Sequence, residues 1–335
     1  MSDGPAGTDP LQTEWILGLD IGGSGSRAAL QRLDAPAGES PLMITGARIQ
    51  VGAAGIALPA ILASLLPEAL AAVAQKGGQL RAAAVGMSGL LSLTAGTDDV
   101  HRTLRAQLGP IPVALASDAV TSLVGGLGLG GGAVVSAGTG AVGLGTDFNG
   151  SWHRVDGWGH VLGDLGSGSW IGTAGIQAAL AEHEGRPGGS AALLTRLLDR
   201  WGAPEELPRQ IYTRDDRAGV LAAFAKDVAD AAHDGDAVAA GIWRRAGSLL
   251  ADNLAAALGP GVPPVATYTG GLFDVGPLLL EPLAARFRAV RPDAELRAPL
   301  GGSLDGALAL ARELLRSPST FPDQEPYLTS RRVTP

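Results

Sequence analysis

The sequence predicts an α/β fold in two halves, each opened by a glycine-tight hairpin, with a cleft between the halves. Three observations carry this expectation. Residues 17–30, "LGLDIGGSGSRAAL", are an apolar run, a turn of glycine and serine, and a second apolar run. Residues 131–145, "GGAVVSAGTGAVGLG", repeat the pattern and suggest an internal duplication. Strand-like and helix-like segments alternate around both over 335 residues, a length that favours two domains. Chance recurrence of such hairpins in a chain with 50 glycines is the competing explanation of the repeat.

Trp15–Leu19 and Ala28–Leu33 are the arms of the first hairpin, and Met43–Val51 fits a third strand. Pro59–Lys76 is an Ala/Leu-rich helix stopped by Gly77-Gly78, with Pro67 marking a break or a fresh start. Arg81–Met87 is a buried-type strand, a helix lies around Asp98–Leu108, and Ile111–Ala116 is the next strand. In the second half, Gly168–His183, Ala191–Trp201, Arg217–His233 and Asp236–Leu258 are helical by their Ala/Leu spacing. Pro264–Thr269 is a strand ending in Gly270-Gly271, and Gly276–Val290 and Leu304–Leu315 are helices. The expected organisation is a flexible leader (1–14), an N-terminal lobe (15–116), a C-terminal lobe (117–316) and a loose tail (317–335). The last helix has the option of packing back on the first lobe.

Nearly half the residues are apolar and 17% are charged, which excludes global disorder. A net charge of −8 without a long Lys/Arg run argues for no nucleic-acid and no membrane-surface partner, since both need a basic footprint. The absence of cysteine removes disulfides, thiolate zinc and iron–sulfur clusters, and fits a cytoplasmic location. The opening "MSDGPAGTDPLQTEW" lacks the basic and apolar regions of a signal peptide. No apolar stretch free of Gly or Pro breaks has the length of a transmembrane helix.

Glycines let backbone N–H groups approach an anion closely, and the Ser24 and Ser26 hydroxyls add donors in Asp20-Ile-Gly-Gly-Ser-Gly-Ser26. Asp20 at the strand end can hold a divalent cation, directly or through water. The plain alternative is a tight hairpin with a solvated Asp. The segment is not a Walker-type loop, and no helix follows as a dinucleotide fingerprint requires. Gly138-Thr139-Gly140 offers the same chemistry without an acid. Asp118 ends the strand Ile111–Ala116 and opens a helix, where it could accept a proton from a hydroxyl nucleophile or simply cap the helix. His153 and His160 do not match a metal-ligand spacing. Trp158 could wall a sugar site, Trp170 suits the core, and Asp215-Asp216 suits a solvated turn.

Seven stretches in order carry a resemblance: "LGLDIGGSGSRAAL", "VGMSG" (85–89), "ASDAVTSLVGG" (116–126), "VVSAGTG" (134–140), "GWGHVLGDLGSGSWIG" (157–172), "YTGGLFDVGPLLL" (268–280) and "GGSLDGALALA" (301–311). Together they resemble the BadF/BadG/BcrA/BcrD-type ATPase family of the actin/hexokinase/Hsp70 superfamily, and within it the N-acetylglucosamine and glucosamine kinases. The resemblance implies a two-lobed actin-like ATPase, with duplicated ribonuclease-H-like domains around an interlobe cleft, that uses ATP and Mg²⁺ to phosphorylate an amino sugar at its 6-hydroxyl. It makes Asp118 the base and Asp20 the support of Mg²⁺. It sets Gly22, Gly23, Ser24, Ser26, Gly138, Thr139 and Gly140 at the phosphates, with Gly270 and Gly271 under the nucleotide. Ser88, Gly157, Trp158, Gly159 and Asp164 become candidate sugar contacts. Because related sugar kinases are often homodimers, it also raises a homodimer.

Four positions depart from the family pattern. Ser24-Gly25 stands where Thr and a cation are usual, and Ala141 where Ser is usual. Leu165 replaces an acid or amide, and Gly55 replaces a sugar-contacting Asn. The last two bear on the sugar pocket, so the acceptor is a modified amino sugar or another small alcohol as readily as the family's own substrate. A non-sugar activator or regulatory role is the remaining alternative. An electron-activating ATPase would need cysteines for its cluster, a repressor would need a DNA-binding segment, and a non-catalytic nucleotide-binding protein of actin type is more distant.

Overall fold

The computed structural model describes residues 12–22, 25–36, 38–46, 51–52, 55–56, 58–90, 96–317 and 323–331. They form two compact units, Met1–Gly125 with Ser303–Pro335, and Gly126–Gly302. Against the expected lobes, the first unit extends nine residues past 116 and regains the chain from Ser303.

In the first unit, β1 (Thr13–Gly22) and β2 (Gly25–Arg32) form an antiparallel hairpin, extended by β3 (Leu42–Thr45). A two-stranded ribbon, β4 (Val51–Gly52) and β5 (Gly55–Ile56), precedes helix α1 (Leu58–Gln75). Strand β6 (Gly78–Met87) runs parallel to β1, and after α2 (Thr97–Leu108) strand β7 (Val113–Ser117) runs parallel to β6. The expected third strand over 43–51 is thus split into β3 and β4, and residues 47–50 lie outside the described ones.

Strand alternation sorts β1 by face. Trp15, Leu17, Leu19 and Ile21 join Leu62, Leu65, Val85 and Leu104 in one apolar core with α1 and α2. The other face carries Gly18 and Asp20 and meets α3 (Asp118–Leu127) and the last helix, α10 (Ser303–Arg316). Close approach holds these helices: a side chain at Gly306 would strike the Thr121 carbonyl of α3. Helix α1 runs unbroken through Pro67, which is exposed, so the carbonyl its ring frees faces solvent. By length and hydropathy α1 is the one described helix able to cross a membrane, yet it buries Leu62, Leu65, Leu66 and Ala69 in the core. Within the tail expected to be loose, β13 (Leu328–Arg331) pairs antiparallel with β7. Arg331 bonds Asp98 and Asp323, and Thr329 bonds the buried His101 at 2.8 Å.

The second unit repeats the strand order. β8 (Gly132–Ala137), β9 (Ala141–Thr146) and β10 (Trp152–Asp156) form an antiparallel meander, and β11 (Val265–Thr269) and β12 (Glu295–Leu296) add in parallel on the β8 side. The order β10-β9-β8-β11-β12 matches β3-β2-β1-β6-β7, which makes the duplication a matter of topology and not of turn shape alone. Helices α4 (Gly168–His183), α5 (Ala191–Trp201), α6 (Leu207–Tyr212), α7 (Arg217–His233), α8 (Ala237–Ala257) and α9 (Pro277–Val290) complete it. Their core contains Phe224, Trp243, Leu250, Leu254 and Phe287, with Trp170 packed against it.

Candidate functional site

In the first unit the chemistry gathers at the end of β1. Asp20 is buried, with Arg27 directly opposite in the hairpin register and its guanidinium 2.5 Å from Oδ2. Ser303, at the first turn of α10, donates to Asp20 Oδ1 at 2.9 Å. With the Ser303 proton given to Asp20, Thr121 is left to donate either to the Ser303 oxygen at 2.7 Å or to the Asp118 carbonyl at 3.0 Å. Asp118 opens α3 straight after β7, and its Oδ1 accepts the Ala119 N–H at 2.9 Å. The capping contact falls instead to Ser117, whose Oγ accepts from Val120 N at 3.4 Å, so Asp118 is not spent as a helix cap. Burial pushes the Asp118 carboxyl above the usual carboxylate range; a hydrogen bond from Ser88 and the Ala119 N–H pull it down, while the Asp20 charge raises it further.

Alternation along β2 turns Ser26 to the α1 side, where it is buried and its hydroxyl lies against Gly46. Gly22 closes β1, whereas Gly23 and Ser24 lie outside the described residues. Ser88 is drawn to this end of the sheet by its N–H bond to the Ile21 carbonyl at 2.8 Å.

In the second unit the turn 138–140 is held by backbone. Gly138 N–H donates to the Gly140 carbonyl at 2.9 Å; Gly168 and Ser169, opening α4, donate to the carbonyls of Gly138 and Thr139 at 2.8 and 3.0 Å. A Cβ at Gly140 would lie 2.6 Å from Asp164 Oδ2, so the Asp164 carboxylate rests on the turn itself. Burial raises the Asp164 carboxyl; the Ala141 N–H lowers it, the Asp156 charge raises it, and the Gly159 N–H and His160 lower it.

Asp156 organises the loop from 157 to 165. Its Oδ1 accepts from Asp164 N at 2.8 Å, and its Oδ2 from Leu165 N at 2.7 Å and Asn253 Nδ2 at 3.1 Å. Arg154 bonds the Gly157 carbonyl and lies over the Trp158 ring at 4.8 Å from its centroid. The loop therefore presents Trp158, Leu162 and Leu165 to solvent, 66%, 82% and 40% exposed, on a fixed backbone. Gly270 adopts a left-handed φ of 105° between β11 and the 3-10 turn Gly271–Val275. His153 bonds the Pro260 carbonyl, and Asp216 is paired with Arg214.

Arg27, Thr121, Ser303, Asp156 and Arg154 are functional candidates that sequence reasoning missed. For Arg27 the signal was available: pairing outward from Gly22 and Gly25 sets it opposite Asp20. Among the described residues no group of three or more His, Asp or Glu could form a protein cage for a cation. One buried carboxylate with hydroxyl neighbours suits Mg²⁺, which keeps water and phosphate oxygens in most of its shell.

Two α/β units of one strand order, each with a glycine turn between its first strands and a buried carboxylate near it, have the architecture of the actin-like class. The model of the BadF/BadG/BcrA/BcrD ATPase family matches residues 17–304, and the chain belongs to that family. An N-acetylmuramic acid/N-acetylglucosamine kinase of Clostridium acetobutylicum is 29% identical over 248 residues, 70% of this chain and 76% of that protein. A candidate N-acetylglucosamine kinase of Chromobacterium violaceum has a similar structure, with a TM-score of 0.68 and 26% identity over 90% of this chain and 100% of that one. A ROK family glucokinase from Streptomyces griseus, solved with glucose and AMPPNP, shares the fold at a TM-score of 0.55 and 22% identity, over 89% of this chain and 99% of that one.

Proposed function

We propose that the chain is an ATP-dependent kinase that transfers the γ-phosphoryl group to the 6-hydroxyl of an amino sugar of the N-acetylglucosamine class. The observation that carries this reading is Asp118: a carboxylate at a strand end, freed from capping, oriented by Ser88 and raised in pKa by burial. Such a group accepts the proton as the sugar oxygen attacks phosphorus, and positioning plus charge neutralisation supplies most of the remaining catalysis. The glycine turns offer N–H donors to phosphate oxygens, and Gly270-Gly271 the close approach that a nucleotide needs. Asp164 and Trp158 are read as sugar contacts, one a hydrogen-bonding carboxylate and the other a ring for stacking. A bound Mg²⁺ would neutralise phosphate charge on the Asp20 side.

The kinship with named sugar kinases supports the reaction class. The exposed Leu165 beside Asp164 favours an acceptor with an apolar substituent over a fully hydroxylated one. A screen of ADP release against glucosamine, N-acetylglucosamine, N-acetylmuramic acid, N-acetylmannosamine and glucose tests the reading. An N-acetylated sugar should give the largest kcat/KM, and a flat response across all five would refute a sugar kinase.

A further inference from the structure

We propose that Arg27 is an exchangeable counter-ion of Asp20. It holds the carboxylate while the nucleotide is absent and releases it to the divalent cation that arrives with the nucleotide. The inference rests on the kinase reading above, in which Asp20 is the cation-side carboxylate.

The two partners are unequal. The Asp20 side chain is 11% exposed, and its Oδ1 is fixed by Ser303, which Thr121 braces in turn. The Arg27 side chain is 55% exposed and approaches only Oδ2. The carboxylate is therefore the built half of the pair and the guanidinium the movable half. A buried carboxylate with no cation beside it is strongly disfavoured, so an empty site needs a counter-ion. A divalent cation at the same carboxylate would face the guanidinium across a few ångströms, and arginine cannot shed its charge. The conflict is relieved by moving Arg27, whose long side chain already reaches solvent. Once released, its planar fork suits phosphate oxygens. The hairpin thus restores, two residues after Gly25, a cation that can be exchanged.

Titrating the nucleotide-free full chain with Mn²⁺, followed by electron paramagnetic resonance, tests this directly. Arg27→Gln should bind Mn²⁺ at least about tenfold more tightly than the unaltered chain, because a competing charge is gone. Arg27→Lys, which keeps the charge, should bind it as the unaltered chain does. ATP affinity without divalent cations should fall severalfold in Arg27→Gln. Unchanged or weaker Mn²⁺ binding in Arg27→Gln would overturn the proposal, as would tighter binding in Arg27→Lys. The double variant with Asp20→Asn separates the two readings. If it keeps the tight Mn²⁺ binding, the cation-side assignment of Asp20 fails as well. If it loses that binding, the assignment stands whatever becomes of Arg27.

Discussion

The two glycine turns look alike as sequence and are stabilised by opposite means. At the β1–β2 turn the flanking strands carry charged side chains, Asp20 and Arg27, and the helix N-terminus nearby supplies a hydroxyl, Ser303. At the β8–β9 turn the flanking positions are apolar or small, and the helix N-terminus supplies backbone N–H groups from Gly168 and Ser169. The first turn is tuned by side chains and is open to point substitution. The second is a property of the backbone, and its carboxylate, Asp164, arrives from a separate loop held by Asp156. A duplicated topology has thus kept its shape while dividing the work.

Substitutions can break that contrast in order of expected effect. Asp118→Asn should lower kcat by about 10²–10⁴-fold while ATP binding by calorimetry stays near normal. Loss within tenfold would remove Asp118 as base. Because burial raises its pKa and the ionised form is the active one, the acid limb of kcat/KM should fall at a higher pH than the 3.8 of an ordinary aspartate. Asp156→Ala removes the acceptor of three donors, so urea unfolding should register a loss of about 2–4 kcal/mol, with amide exchange faster over 157–165 than elsewhere.

Gly140→Ala sharpens the comparison from the backbone side. The added methyl meets the end of the Asp164 side chain and not a backbone atom, so the carboxylate should yield. KM for the sugar should rise severalfold, with a stability cost of about 1 kcal/mol. Ser303→Ala should be mildest, costing about 0.5–1.5 kcal/mol by thermal melting with the first turn's geometry kept by Arg27.

Much of this architecture was legible in the chain. The paired hairpins anticipated two sheets of one strand order, and Asp118 at a strand end was visible as a candidate base. The contacts that finish the site were not. Ser303 bonds Asp20 across 283 positions, a separation no local pattern reports. Gly25 drew attention to a missing cation, while Arg27 needed hairpin register to be seen. Asp156 closes β10, and its part in the site is set by backbone donors eight and nine residues on. Residues 328–331 looked loose by composition; pairing with β7 and the Arg331 ion pairs make them a strand. Gly55, the position where the resemblance implies a sugar-contacting Asn, lies in β5 of the short ribbon with β4.

The discontinuous first unit has a consequence for synthesis. Gly126–Gly302 is one contiguous segment and can complete its core as it leaves the ribosome. The first unit must wait for α10 and β13, the last described elements of the chain. Until then Asp20 lacks Ser303, and β7 is an unpaired sheet edge of the kind that recruits foreign strands. A released chain truncated after Gly302 would thus carry a finished second unit and an unfinished first, a natural client for chaperones.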